Sequence, residues 1–83
     1  MSYYEEEYKI NEYLAEIQIY HDIKQEAKSK IWTTKDGTKI AVKDMTDSHI
    51  RNTINWIKRK DKYDYYLPWI KVFEEELTGR EDN

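Results

Sequence analysis

The residues able to do chemistry are few, and their spacing argues against catalysis. The two histidines, His21 and His49, fall in separate segments, and Ser48 directly precedes His49. Neighbours on a helix do not face each other, so Ser48 and His49 do not make a nucleophile and its base. His21 with Gln25, or His49 with Asp47, falls short of the ligand number that a metal ion needs. The chain has no cysteine, and its only glycines are Gly37 and Gly79. Thiolate chemistry, disulfides and a glycine-rich phosphate loop are therefore excluded. Glu5, Glu6 and Glu7, like Glu74, Glu75 and Glu76, sit in runs that read as solvated faces. No catalytic residue, cofactor site or metal site is expected, and the chain is not read as an enzyme.

Recognition chemistry is better represented, in two forms. Arg51, Asn52, Asn55, Lys58 and Arg59 place donors along one side of a helix, and Arg and Asn are the residue types that read guanine and adenine edges. Lys35 and Lys39 would add phosphate contacts nearby. The second form is aromatic. Eight tyrosines and three tryptophans in 83 residues exceed what so small a core can hide. Tyr and Trp dominate binding hot spots because they bury large area at little entropic cost. Tyr3, Tyr4 and Tyr8 near the N-terminus, Trp32, and Tyr63, Tyr65 and Tyr66 before the last helix are the candidate anchors for a protein partner. These tyrosines can also stand in for aliphatic residues at half-buried positions.

Charge separates the chain into three parts. Residues 1–30 hold four basic and seven acidic groups, residues 31–62 eight and four, and residues 63–83 two and six. A basic centre between acidic flanks is either neutralised within the fold or offered to an acidic partner, protein or nucleic acid. The overall charge of −3 and pI near 5.4 weigh against a dedicated polyanion binder. No apolar run approaches the roughly 20 residues of a membrane span, and the acidic start MSYYEEEYK does not resemble a secretory signal. A soluble, cytoplasmic protein without a membrane partner is expected.

The elements that must position these groups read as one small α+β domain over residues 1–83, in the order α-β-β-α-α. Residues 3–30 lack glycine and proline and have helix-forming composition, with Ser2 and Glu5 as a capping box. Tyr3, Ile10, Ile17 and Ile31 recur by sevens, broken by Lys24. Tyr13, Tyr20 and Ala27 follow three behind, while Leu14, Ile19 and Ile23 widen the stripe. This heptad-like seam can serve the domain's own core or a homodimer. Residues 31–43 read as a β-hairpin, since Asp36-Gly37 suits a two-residue type I′ turn. That loop pairs Thr33 with Ile40 and Ile31 with Val42 toward the helices, and leaves Trp32 on the outer face or near a strand end, covered by a neighbour or exposed.

Residues 46–60 form the next helix, capped by Thr46 or Asp47, with Met45 as a hydrophobic staple. Ile50, Thr53, Ile54 and Ile57 make its core face, and His49, Thr53, Trp56 and Lys60 lie along one border. A last helix over residues 67–78 starts around Pro68 and ends at Gly79, with Tyr66, Ile70, Phe73 and Leu77 as its apolar face. Residues 80–83 are expected to fray.

One run carries a resemblance. Trp32, the Asp36-Gly37 turn, Asp44-Met45, and His49-Ile50 followed by Asn52 resemble a pattern in small proteins encoded by bacteriophages and prophages. There a tryptophan, a DG turn, a DM step and a His-Ile/Leu-x-Asn helix start recur in this order. The resemblance covers about a third of the chain and neither flanking helix. It implies origin rather than chemistry, and it singles out His49 and Asn52, at i and i+3, as a polar pair of functional or structural use. By analogy with such proteins, the implied role is an accessory or host-interaction factor that binds a host protein, anti-defence action included. The nucleic-acid-binding helix is the alternative.

Overall fold

Tyr3–Ser29 winds into the long helix α1 in the computed structural model, which describes the backbone of residues 3–81 and the side chains of residues 16–81. Ile31–Thr33 (β1) and Lys39–Ala41 (β2) pair as an antiparallel hairpin. A single 3-10 turn, Val42–Asp44, leads through Met45 and Thr46 to helix α2, Asp47–Lys60. Helix α3, Leu67–Glu81, closes the fold. The α+β architecture and the order helix, hairpin, helix, helix agree with the sequence. The 27 residues of α1 give a rod of about 40 Å at 1.5 Å per residue, in a molecule measuring 59 × 22 × 20 Å.

Helix α2 forms as its sequence dictates. The Thr46 hydroxyl accepts a hydrogen bond from the His49 N–H at 3.1 Å, filling one of the donors that a helix start leaves open. Met45, just before the cap, is buried. Ile50, Thr53, Ile54 and Ile57 are buried along one face, and the Thr53 hydroxyl donates to the His49 carbonyl at 2.8 Å. That bond removes the cost of burying a polar group.

One core draws on every element. Ile23 and Ala27 come from α1, Val42 and Met45 from the turn, Ile50, Ile54 and Ile57 from α2, and Trp69 and Phe73 from α3; Trp32 and Ile40 pack against it from the hairpin. Of the seam on α1, Ile23 and Ala27 serve this core, whereas Ile17, Ile19 and Tyr20 are exposed. Tyr3, Ile10, Tyr13 and Leu14 belong to that seam too, but their side chains lie outside the described residues.

The hairpin register differs from the expected one. Ile31 pairs with Ala41, Trp32 with Ile40 and Thr33 with Lys39. The loop is three residues, Lys35 to Gly37: the Gly37 N–H donates to the Thr34 carbonyl, and the Thr34 N–H to the Thr38 carbonyl. Gly37 sits at φ 90, the left-handed conformation that closes a type I turn with a bulge. Because side chains alternate, a slip of one residue turns one strand over against the other: Ile40 still packs on the core, and the side chains of β1 exchange faces. Trp32 therefore points inward and Ile31, expected inside, is exposed.

Asp36 is what fixes this turn. Its carboxylate accepts from the Thr34 hydroxyl and from the Thr38 N–H at 3.1 Å. The Thr34 hydroxyl first, then the Thr38 N–H and hydroxyl, hold its pKa down from the ordinary 3.8 to about 2. A depressed acid contributes stability above its unfolded pKa and loses it as pH falls through the folded one. The hairpin's share is thus complete above pH 3.8 and disappears toward pH 2. Thermal melts across that window should show the wild type losing stability there more steeply than Asp36→Asn.

Two further differences concern α3. Trp69, absent from the expected apolar face, is fully buried beside Phe73, while Tyr66, Ile70 and Leu77 are only partly buried. The helix also runs through Gly79 to Glu81 instead of stopping. Arg80, expected to fray, holds the turn before α2. Its guanidinium donates to the carbonyls of Val42, Lys43 and Met45 and to the carboxylates of Asp47 and Glu76.

Candidate functional site

The polar pair singled out in the sequence comes to lie in a groove of about 390 Å³ between the hairpin and α2. One wall is four consecutive residues of β1 and its turn: Trp32, Thr33, Thr34 and Lys35. The other is His49, Asn52, Thr53 and Trp56 on α2, and Tyr66 completes the lining. Burial of Ile50, Ile54 and Ile57 in the core sets the rotation of α2, and the helical period then turns residues 49, 52, 53 and 56 toward the hairpin.

Aromatic packing shapes the groove. Trp32 meets Trp69 edge-on at 4.9 Å between centroids, Phe73 at 5.4 Å and Tyr66 at 6.3 Å. Such edge-to-face arrangements are the favoured ones and fix the ring orientations. Trp32 was expected on the outer face. It is instead half-buried, its ring both part of the core and part of the groove. Trp56 behaves differently: 45% of it is exposed. An indole open to solvent at the edge of a groove has a large area still to bury.

The Thr34 and Thr53 hydroxyls are taken up by Asp36 and the His49 carbonyl, but other polar groups of the lining are uncommitted. Among the described residues, neither the His49 ring nor the Asn52 carboxamide forms a hydrogen bond or an ion pair, and the Lys35 ammonium has no carboxylate partner. Lys35 and His49 are the basic groups of the lining, and no carboxylate contributes to it. Asp36, next in the chain, is tied to Thr34 and Thr38. The groove thus offers aromatic surface, hydrogen-bonding capacity and a positive end.

The remaining expected site residues are distributed elsewhere. Arg51, Asn55, Lys58 and Arg59 are exposed on the outer side of α2, with Asn52 joining that side to the groove. None of them enters an ion pair among the described residues. Tyr63 is the most exposed aromatic among the described residues, and its ring lies 5.6 Å from that of Tyr65. The Tyr65 hydroxyl is pushed above its usual range by desolvation first, then by the nearby Glu16, Tyr63 and Asp61. Tyr66 borders the groove, so the tyrosine cluster is divided between two surfaces. The side chains of Tyr3, Tyr4 and Tyr8 lie outside the described residues.

Trp56 was not among the expected site residues. Its signal was the border of α2 that also carries His49 and Thr53, where an indole stands opposite no apolar stretch of sequence. Among the described residues no group of three or more acids and histidines is placed to hold a metal ion, and no helix is long and apolar enough to cross a membrane. No family model matches the chain, and neither a curated protein nor a solved structure matches it.

Proposed function

We propose that this protein is a non-enzymatic protein-binding module whose contact surface centres on the groove between the hairpin and α2. The observation that carries the reading is the convergence of Trp32, His49 and Asn52 with the exposed Trp56 in that groove. Hot spots combine an aromatic anchor with polar groups that gain partners only on binding. The phage-type pattern in the sequence includes three of these residues, Trp32, His49 and Asn52. A role as a cytoplasmic accessory or host-interaction factor, anti-defence action included, follows from that resemblance. A homodimer through the exposed Ile17, Ile19 and Tyr20 of α1 belongs to the same proposal.

The second reading is nucleic-acid binding through Arg51, Asn52, Asn55, Lys58 and Arg59. Its support is that all five are exposed, on the segment of net positive charge, without acidic partners among the described residues.

A tagged pull-down from bacterial host lysate separates the two. A protein retained after nuclease treatment and moderate salt, and lost with Trp56→Ala, is the expected result. Trp56→Ala should weaken that complex by about tenfold or more, in line with hot-spot aromatics. Recovery that vanishes with nuclease, falls steeply with salt and disappears on Arg51→Glu with Arg59→Glu would replace it with the second reading. Phosphate contacts on duplex DNA carry a log-log salt slope of about −0.9 each.

A further inference from the structure

The pattern of backbone pairing shows which edge of the hairpin borders the groove and which of its groups are unused. In an antiparallel ladder, hydrogen-bonded and non-hydrogen-bonded pairs alternate. The Thr34 N–H donates to the Thr38 carbonyl and the Val42 N–H to the Lys30 carbonyl. Both pairs are of the hydrogen-bonded kind, so Trp32 with Ile40 is too, and Thr33 with Lys39 is not. The N–H and C=O of Thr33 therefore point away from β2. The Ile31 N–H, which also points outward, is taken by the Ser29 hydroxyl at 3.2 Å.

The side on which these groups emerge is the groove. A hollow above one face of a strand touches alternate residues, because side chains alternate. This groove is lined by Trp32, Thr33, Thr34 and Lys35 in succession and by no residue of β2. It therefore runs along the edge of β1. An uncovered edge is a template for another strand.

We infer that the groove takes an extended, acid-bearing peptide segment of a partner protein, which adds to the edge of β1 as a third strand. This rests on the protein-binding reading and specifies its mode. The Thr33 N–H and C=O supply main-chain hydrogen bonds, as in other cases of strand addition. Trp56 and Tyr66 cover an apolar side chain of the incoming strand, while His49 and Asn52 meet its polar groups from α2. Charge selects the occupant: the lining holds the Lys35 ammonium and no carboxylate, so a peptide aspartate or glutamate is matched and a lysine is repelled.

The test uses a displayed library of random linear peptides selected on the intact protein, followed by synthesis of the recovered sequences. Recovered peptides should be rich in Asp or Glu and should bind about tenfold more weakly to Lys35→Glu and to Trp56→Ala. The deciding variant is Thr33→Pro. An edge strand accepts proline where the N–H faces outward, so the hairpin's own ladder survives while the proposed donor is removed. Binding should be lost with this variant although its circular dichroism remains that of the wild type. N-methylation of the peptide at alternate residues provides the same test without altering the protein: one phase should abolish binding and the other spare it. Peptides that need Trp56 but tolerate Thr33→Pro and both methylation phases would overturn strand addition and leave the groove as a protein site. Failure to recover any peptide dependent on Trp56, or binding of single-stranded oligonucleotides there in place of peptides, would overturn both.

Discussion

Trp32→Ala should remove about 2–4 kcal/mol of stability, while Ile31→Ala, one residue earlier, should remove less than about 1 kcal/mol. Truncating a fully buried tryptophan costs about 3–5 kcal/mol. Trp32 is half-buried, so the lower figure applies, but it touches Tyr66, Trp69 and Phe73 edge-on and all three contacts disappear together. Ile31, at 44% exposed, leaves little cavity. A domain of this length holds roughly 4–12 kcal/mol in total. Trp32→Ala therefore consumes a large share, and its urea midpoint by far-UV circular dichroism should fall well below that of Ile31→Ala. The opposite order would restore the two-residue turn and place Ile31 inside. Loss of Trp32 should also open the floor of the groove, so its effect on binding is best read only at temperatures where the variant is folded.

That contrast marks where the sequence was legible and where it was not. The helices were, because their period and caps are local: Thr46, Met45 and the Ile50, Thr53, Ile54, Ile57 face all appear as expected. The turn was legible as a turn, but Asp-Gly serves two loop lengths. It fits the two central positions of a type I′ turn, and equally the end of a type I turn with glycine in the following left-handed position. The Thr34 and Thr38 contacts to Asp36 decide between them, and these exist only once the loop has closed. In α3, Trp69 beside Pro68 was hidden by an alternative face that satisfied the same helical spacing. The candidate site shows the same division. His49 and Asn52 stood out as a pair, but the groove needs β1 brought alongside α2, and no local pattern states that proximity. Trp56 acquires its meaning only from being left uncovered.

Arg80→Ala should lower Tm by roughly 5–10 °C, a large shift for a residue at the last turn of the last helix. The reason is the number and kind of groups it holds. Its Nη2 donates to the Met45 carbonyl at 2.7 Å and to the Val42 and Lys43 carbonyls at 3.3 Å each. Its Nη1 lies 2.6 Å from the Asp47 carboxylate, and Glu76, one turn back, adds a contact at 3.3 Å. The Asp47 carboxylate first, and Glu76 after it, raise the guanidinium pKa further against the opposing effect of desolvation, so the guanidinium stays charged at every accessible pH. Glycine inside a helix costs about 1 kcal/mol relative to alanine. Gly79 is nonetheless carried within α3, since anchoring Arg80 extends the helix past it to Glu81. The fork geometry matters more than the charge, because Nη2 sits at the carbonyls while Nη1 reaches Asp47, and one compact ammonium nitrogen cannot stand at both places. Arg80→Lys should therefore recover little of the lost Tm, and Asp47→Ala, which leaves the carbonyl bonds intact, should cost much less than Arg80→Ala. Full rescue by lysine, or a wild-type Tm that collapses in high salt to that of Arg80→Ala, would show a screened surface charge in place of a clamp. The clamp also sets the start of α2, so a variant that loosens it should displace His49 and Asn52 from β1 and weaken peptide binding at temperatures below its own melting.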